Sequence, residues 1–323
     1  MKKGQPILSI CIPTYNRAAI LRDTLEKYTS CAEFDDSVEI VISDNASPDE
    51  TPAVSKEFVQ KFPNIRYYRN EENVRDENFV IVQDHAKGEY IKLMNDNIYM
   101  PNDVLRAMKQ YIRANIESRK PIFFVTGPVY ERIRQKEYIC HGLDDYVQKV
   151  SLFVTAMSLF GVWRTDWEEI SDKTRFSKLQ LSQVDWTYQL IEKYGMCQLI
   201  YIEPFWYPSR GAERKFSESY NFFKVHLTNY DTIKREYAEK GLISPKTMRK
   251  DGRVFLRHYR MRIGKVLFGR PIDGFDYSGT KQILRRHFSK DWYFYWFILS
   301  YPLWYVGDLM RRAKNKIKRI CVR

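Results

Sequence analysis

The first third of the chain alternates between short, largely apolar runs and longer stretches whose apolar residues recur at helical spacing. Ile7 to Pro13, Val38 to Ile42, Ile65 to Tyr68 and Tyr90 to Leu93 are rich in β-branched and aromatic side chains. Runs of that length and makeup read as strands buried in a parallel sheet. Pro13 reads as the end of the first. Between the runs, Leu21, Leu25 and Tyr28 fall on one face of a helix over residues 18–30. Ser47 and Glu50 have the spacing of a capping box for a second helix reaching about Phe62. Residues 76–86 read as a third helix, with Gly88 as its stop. Strands and helices alternating at this spacing predict an α/β fold: a Rossmann-like, mostly parallel sheet flanked by helices, joined by right-handed crossovers.

Farther on, Ile122 to Val129 reads as a strand and Leu143 to Trp163 as a helix followed by a strand. Gln183 opens a helix that runs to about Tyr194, with Asp185 in its first turn. Asp166, Glu168, Glu169 and Asp172 read as a solvated helix face. The pattern divides the chain into residues 1–105, 106–240 and a basic, aromatic-rich helical region, 241–323.

Topology then gathers chemistry. In an open parallel sheet, ligands bind outside the carboxyl ends of the strands. The polar loops following the first, second and fourth runs must share that edge, and they carry Thr14, Tyr15, Arg17, Asp44, Asn45 and Asp96. The stretch from Tyr90 to Pro101 is the pivot: an apolar run ends abruptly in Asn95-Asp96-Asn97. A carboxylate there, among amide oxygens, suits a hard divalent cation held together with phosphate. The plain alternative is an Asx-rich turn leading into a helix at Asn102-Asp103.

Composition narrows the classes. The chain has 323 residues, 44% of them hydrophobic and 15% aromatic, with a net charge of +13. Its length can bury a sizeable core and its aromatic content argues against disorder. The five cysteines form no CxxC pair, and Cys140-His141 has no second half of a metal site; free thiols in a reducing compartment are expected. Two lysines near the N-terminus lead into Pro6 and a strand, without the apolar core of a secretory signal. The basic excess calls for an anionic partner. Nucleic acid is not expected, because no recognition-helix, RRM or zinc-finger pattern accompanies the charge.

Neither GxGxxG nor GxxxxGK[ST] occurs, so a dinucleotide fold and a P-loop lose support. Four segments occur in order instead: Ile10 to Arg17 (ICIPTYNR), Ile40 to Asp49 (IVISDNASPD), Asn73 to Asn78 (NVRDEN) and Gly88 to Pro101 (GEYIKLMNDNIYMP). They resemble the family 2 glycosyltransferases of GT-A fold, nearest in pattern to the bacterial surface-polysaccharide branch that includes abequosyltransferase-like enzymes. The resemblance implies an inverting transferase that uses a nucleotide-sugar donor, a UDP-sugar by expectation. It implies that Pro13, Thr14 and Tyr15 line the base and ribose, that Asp44 bonds uracil or ribose, and that Arg17, Asn45, Asn78 and Asn95 belong to the donor site. Asp96 is then the surviving acid of a DXD motif that binds Mg²⁺ or Mn²⁺ across the diphosphate. Asp185 stands where the family has its catalytic base, although a first-turn acid also serves a helix dipole. Arg210, with Arg214, lies in a Gly-containing loop able to close over the diphosphate. Trp206 and Tyr207 nearby read either as sugar-stacking rings or as core. Three departures stand out: Met94 where the first acid of DXD often sits, Asn97 where another acid is frequent, and Arg75 where Gly is common. They leave open a catalytically degenerate GT-A-like binding or scaffold protein.

The last third adds a surface. From Lys246 to Arg270 basic residues mix with apolar ones in an amphipathic helical pattern, and Trp292 to Val306 is almost wholly apolar. That run is too short and too interrupted by Pro302 for a transmembrane helix, and its Trp and Tyr content suits a membrane interface. Seven Lys or Arg follow Asp308 with no acid among them. The expectation is peripheral, monotopic association with an anionic membrane at its cytoplasmic face, serving an acceptor glycan carried on a polyprenyl diphosphate. The alternative is a terminal helix that packs its aromatics on the catalytic domain or on a sister subunit.

Overall fold

The computed structural model describes residues 5–202, 207–208, 220–269 and 274–321. In chain order the elements are β1 (Leu8–Thr14), α1 (Ala18–Thr29), β2 (Val38–Asp44), α2 (Thr51–Lys61), β3 (Ile65–Arg69), α3 (Asn78–Asp84), β4 (Tyr90–Leu93), β5 (Ile98–Tyr99) and α4 (Asn102–Asn115). There follow β6 (Ile122–Val125), α5 (Gly127–Ile133), β7 (Glu137–His141), α6 (Gly142–Val150), β8 (Gly161–Trp163), α7 (Arg164–Glu169), α8 (Ser182–Tyr194), β9 (Met196–Tyr201) and β10 (Tyr207–Pro208). The remainder is helical: α9 (Tyr230–Glu239), α10 (Pro245–His258), α11 (Arg260–Leu267), α12 (Thr280–Phe288) and α13 (Trp292–Cys321). By packing, the chain forms two units, one of Met1–Glu213 with Thr232–Ser244 and one of Arg214–Asp231 with Pro245–Arg323.

The first unit is the expected α/β structure. Its main sheet has the order β3-β2-β1-β4-β8. The first four strands are parallel, and β8 is an antiparallel edge on β4. Every residue of β1, β2 and β4 is buried, which explains why their sequences read as continuous apolar runs rather than alternating ones. Leu21, Leu25 and Tyr28 of α1, Val54 and Phe58 of α2, and Val104, Leu105, Met108 and Ile112 of α4 supply the helical side of the core. A second sheet, β6-β9-β7, pairs β6 parallel and β7 antiparallel to β9. The strand expected to reach Val129 stops at Val125, and Gly127-Pro128 starts a helix instead, with Pro in its first turn.

Three local expectations are corrected. Pro13 does not end β1, which continues to Thr14. The carbonyl of Cys11 accepts the Met94 N–H on the β4 side, and that of Thr14 accepts the Asn45 N–H on the β2 side. By alternation Pro13 faces the β4 side just where β4 has ended, so its missing N–H costs no ladder bond. Ser47 and Glu50 form no capping box. The Ser47 hydroxyl accepts the Asn16 N–H at 2.8 Å, while the Asp49 carboxylate accepts the N–H groups of Thr51 (3.0 Å) and Ala18 (2.9 Å), serving the starts of α2 and α1 together. The helix expected over 76–86 is a 3₁₀ turn, Arg75–Glu77, followed by α3.

Gly88 is not a helix stop either. A Cβ there would lie 2.7 Å from the Ser9 nitrogen and 2.9 Å from the Leu8 carbonyl carbon, so the glycine is needed for close approach to β1. The same corner holds a buried ion pair. Glu39 accepts from the Arg66 guanidinium (2.7 Å), the Ser9 hydroxyl (2.5 Å) and the Lys87 N–H (2.6 Å), fastening β1, β2, β3 and the turn into β4.

In the second unit, α13 runs 30 residues through Pro302. The proline does not break it; Pro302 lies on the exposed face. The helix has two apolar faces. Phe294, Phe297 and Tyr301 are buried, and Tyr301 lies so close to Gly264 that a Cβ there would sit 1.8 Å from its ring. Trp292, Tyr295, Trp296, Leu299, Leu303, Val306 and Met310 recur at helical spacing on the outside, with Leu299 80% exposed. Arg260 covers Trp304, its guanidinium 4.0 Å from the ring centre. The amphipathic stretch expected over 246–270 is two helices, α10 and α11, meeting at Tyr259. Among the described residues no helix is long and apolar enough to cross a membrane.

Replacing Gly88 with Ala should lower stability by about 1–3 kcal/mol through overpacking against the β1 backbone, read by urea denaturation with an unchanged m-value.

Candidate active site

Because β1 lies between β2 and β4, the loops leaving the carboxyl ends of all three emerge at one edge. The turn after β4 carries Asp96, and the segment from β1 into α1 holds it three ways. The Thr14 hydroxyl donates to Asp96 Oδ2 at 2.9 Å, Arg17 Nη1 lies 3.4 Å from Oδ1, and the Thr24 hydroxyl donates to the Asp96 carbonyl at 2.6 Å. Asp96 is 7% exposed while the Arg17 side chain is 31% exposed, so an acid and a guanidinium meet at the rim of the sheet. Tyr15 beside them is exposed, Asn95 is half-buried at the start of the turn, and Pro13 is buried within β1.

Asp44, Asn45 and Asn78 form a second cluster, directed inward. Asp44 is fully buried. Its Oδ1 accepts the Ser47 N–H (2.9 Å) and its Oδ2 the Tyr67 hydroxyl (2.8 Å) and the Arg69 guanidinium (3.3 Å). Burial, then the Asp44 anion, push the Tyr67 hydroxyl up to about 12. Asn45 accepts from Asn70 and the Val74 N–H, and donates to Asn73 and the Arg75 carbonyl. Asn78 accepts from the Ser43 hydroxyl (2.5 Å) and Asn70 (3.0 Å), and donates to the Ser43 carbonyl (2.9 Å). These amides fix the shape of two rim loops rather than present polar groups outward.

Three rim loops, after β1, β2 and β3, each contain a strained residue. Asn16, Ala46 and Arg75 have φ of 55°, 62° and 54°, in the left-handed region that disfavours a side chain. Arg75 stands where the family resemblance has glycine, and the backbone conformation that makes glycine useful there is retained. Asn73 accepts the Arg75 N–H at 2.9 Å and Asn45 donates to its carbonyl, which braces the turn.

Asp185 sits in the first turn of α8 and is fully buried. It is clamped by the Arg175 guanidinium on both oxygens, with Nε 2.9 Å from Oδ2, while the Tyr237 hydroxyl donates to Oδ1 at 2.6 Å and Gln189 to Oδ2 at 2.8 Å. The hydrogen bond to Asp185 raises the Arg175 pKa; burial, then Asp185, raises that of Tyr237. The loop before α8 reaches the rim, because the turn Ser177–Leu179 packs against the turn Arg75–Glu77. Asp166, expected on a solvated face, is 3% exposed and paired with Lys193 (2.6 Å) and Tyr194 (2.7 Å), while Glu168, Glu169 and Asp172 are exposed. Arg210, Arg214 and Trp206 lie outside the described residues.

Sequence reasoning missed Asp76. It lies on the 3₁₀ turn at the rim, and burial lifts its carboxyl to about 6 against a smaller opposing pull from Arg75. A perturbed acid at a crevice is a functional signal, but nothing in its local sequence distinguishes it from a surface aspartate.

Among the described residues no group of three His, Cys, Asp or Glu could hold a metal ion. Between Thr14 and Arg17 the donor set is one carboxylate, Asp96, with the Thr14 hydroxyl beside it. It fits a divalent cation that arrives with a diphosphate, since Mg²⁺ is commonly held by one or two carboxylates plus phosphate oxygens.

Residues 9–163 match the description "Glycosyl transferase family 2". Among curated proteins, the chain is 34% identical over 109 residues to abequosyltransferase RfbV of Salmonella typhimurium, covering 33% of this chain and 32% of that protein. It is 27% identical over 110 residues to a GalNAc(5)-diNAcBac-PP-undecaprenol beta-1,3-glucosyltransferase of Campylobacter jejuni, covering 32% of this chain and 34% of that protein. These matches span about a third of the relatives' length. Among solved structures, S. aureus TarS 1–349 in complex with UDP-GlcNAc superposes with a TM-score of 0.53 at 12% identity, over 78% of this chain and 72% of that one. At that identity the likeness is one of fold.

For Asp76 the folded pKa lies above the ordinary value, so the stability contributed by the protonated acid is full below pH 3.8 and lost as pH rises through about 6. Asp76→Asn should therefore match the parent near pH 4 and exceed it by about 1–3 kcal/mol at about pH 8, measured by denaturant unfolding at both.

Proposed function

We propose that this chain, whose residues 9–163 match glycosyl transferase family 2, is an inverting glycosyltransferase of that family moving a sugar from a nucleotide donor, a UDP-sugar, to a glycan acceptor on a polyprenyl diphosphate. The observation that carries the reading is Asp96 held between Thr14 and Arg17 at the carboxyl ends of β1 and β4. Residues 1–105 would form the donor half and residues 106–240 the acceptor half. Mg²⁺ or Mn²⁺ bound at Asp96 would neutralise charge on the leaving diphosphate. Arg17 adds a fixed positive charge to the same side, and Tyr15 and Asn95 complete the donor contacts.

Bond changes follow from the reaction class. The acceptor oxygen forms a bond to the anomeric carbon as the bond from that carbon to the diphosphate oxygen breaks. The hydroxyl proton passes to a carboxylate, and Asp185 is the base in this reading. Arg175 holds it in place through both oxygens, and the acceptor hydroxyl takes the place of Tyr237 or Gln189 at one of them. General-base assistance of this kind is worth about 10²- to 10⁴-fold.

A second reading is a donor-binding protein without turnover. Its support is that both Asp185 oxygens are already engaged. Asp185→Asn separates the two: in the first reading it lowers nucleotide release by about 10²-fold or more with donor affinity retained. Full turnover in that variant removes Asp185 from the base role, and no turnover by the parent with any donor or lipid-linked acceptor favours the second reading. Asp96→Ala should abolish the dependence of donor affinity on Mn²⁺, read by calorimetry.

Residues 241–323 are the proposed membrane-facing part, at the cytoplasmic face. Residues 245–323 hold 20 Lys and Arg against five Asp and Glu, so the whole basic excess of the +13 chain lies there beside the exposed stripe of α13. Apolar area and basic charge together bind anionic interfaces. Leu303→Glu with Met310→Glu should reduce co-sedimentation with anionic vesicles at least about tenfold, each buried side chain being worth roughly 1.5–3 kcal/mol. Unchanged co-sedimentation would remove the stripe from membrane binding.

A further inference from the structure

A cavity of about 350 Å³ in the second unit lies between α11, α12 and α13. Leu267, Leu284, Phe294, Ile298, Tyr295 and Leu299 make its apolar wall, and among the described residues the charged groups lining it are Lys281 and Arg285. That volume falls in the range of small-ligand sites. Lys281 and Arg285 are four apart on α12, so they project from the same face one turn from each other. Both are exposed, and among the described residues neither makes an ion pair. Leu284 between them turns inward and is 1% exposed. The cavity is an apolar trough with two cations at its lip and, among the described residues, no acid in its lining.

Its rim identifies the occupant's surroundings. Tyr295 (53% exposed) and Leu299 (80% exposed) belong both to the trough and to the outer stripe of α13. Whatever phase covers Trp292, Trp296 and Leu303 therefore opens into the trough. A soluble apolar ligand would leave both cations unmatched, and a soluble anion would leave the wall bare. A lipid phosphate satisfies both, with its chain on the wall and its oxygens on the lip.

We propose that this trough is a binding site for one anionic glycerophospholipid drawn from the bilayer. An acyl chain lies along Leu267, Leu284, Phe294 and Ile298, and the headgroup phosphate bridges Lys281 and Arg285. The inference rests on the membrane reading of residues 241–323 and adds a stoichiometric site to it. Diffuse attraction would treat every exposed cation of α12 and the turn after it alike, whereas a site singles out two. Arg286 and Lys290 are also exposed and do not line the trough, which makes them the internal control.

The test uses the full chain and dihexanoyl phosphatidylglycerol below its micelle concentration, where no surface exists, followed by calorimetry. Saturable binding of one lipid per chain is expected, weakened at least about tenfold by Lys281→Ala with Arg285→Ala, and changed by less than about twofold by Arg286→Ala with Lys290→Ala. Equal losses from the two pairs overturn the site in favour of diffuse charge. Tighter binding of geranylgeranyl phosphate than of phosphatidylglycerol overturns the phospholipid assignment and makes the trough a seat for a prenyl carrier. Vesicle co-sedimentation runs in parallel with phosphatidylcholine alone and with added phosphatidylglycerol. If the chain binds anionic vesicles but no soluble lipid, the trough proposal falls and the membrane reading stands. If it binds neither, the membrane reading itself falls.

Discussion

The parallel pairing of β1 on both sides is the constraint from which the rest of the first unit follows. Leu8 aligns with Val38 on one neighbour and Tyr90 on the other, so all three strands point their carboxyl ends the same way. Parallel strands need crossovers; α1 and α2 pack with α4 in one core against the sheet, and α3 packs against β1, β2 and β4. Only the strand ends remain for polar chemistry. The Thr14–Asp96 hydrogen bond is the direct product: the last residue of β1 reaches across to the turn that β4 releases. At the other end of the strands, Glu39 ties β1, β2 and β3 to the turn at Gly88. A buried ion pair contributes little net stability unless fully hydrogen-bonded. With guanidinium, hydroxyl and backbone donors all satisfied, Glu39 acts as a register pin.

The rim is shaped by strain held in place by amides. Three non-glycine residues in left-handed conformation, one in each of three successive loops, would each favour relaxation by roughly 1–2 kcal/mol if isolated. Asn45 alone supplies four hydrogen bonds to the loop that carries Arg75. Its side chain thus acts on the crevice through the backbone it fixes. Asp44 acts likewise through the Ser47 N–H and Tyr67.

This division explains what could be read from the sequence. β1, β2 and β4 were legible because burial on both faces leaves uninterrupted apolar runs. β7 was not: only Cys140 of its five residues is buried, and an edge strand of that kind carries no strong period. β9 follows α8 after a single glycine, Gly195 at φ 65°, and its apolar run reads equally as the end of a helix. Asp96 was legible as an acid ending an apolar run. The inward direction of Asp44, Asn45 and Asn78 was not, because most of their partners, Tyr67, Asn70, Asn73 and Ser43 among them, lie 23 to 35 residues away and are brought close by sheet pairing. The residue type identified a polar rim, and only the fold assigned each polar atom a partner.

Arg175 illustrates the same limit and sharpens the chemistry. It lies ten residues before Asp185 in an irregular segment, so no helical or strand period links them, yet it grips both carboxylate oxygens. The donors to Asp185 divide by charge: the guanidinium meets both oxygens, while two neutral groups, the Tyr237 hydroxyl at Oδ1 and the Gln189 amide at Oδ2, complete the set. Tyr237 reaches Asp185 from α9, distant in sequence but in the same unit. Three separate segments thus converge on one buried carboxylate, and only the fold brings them there.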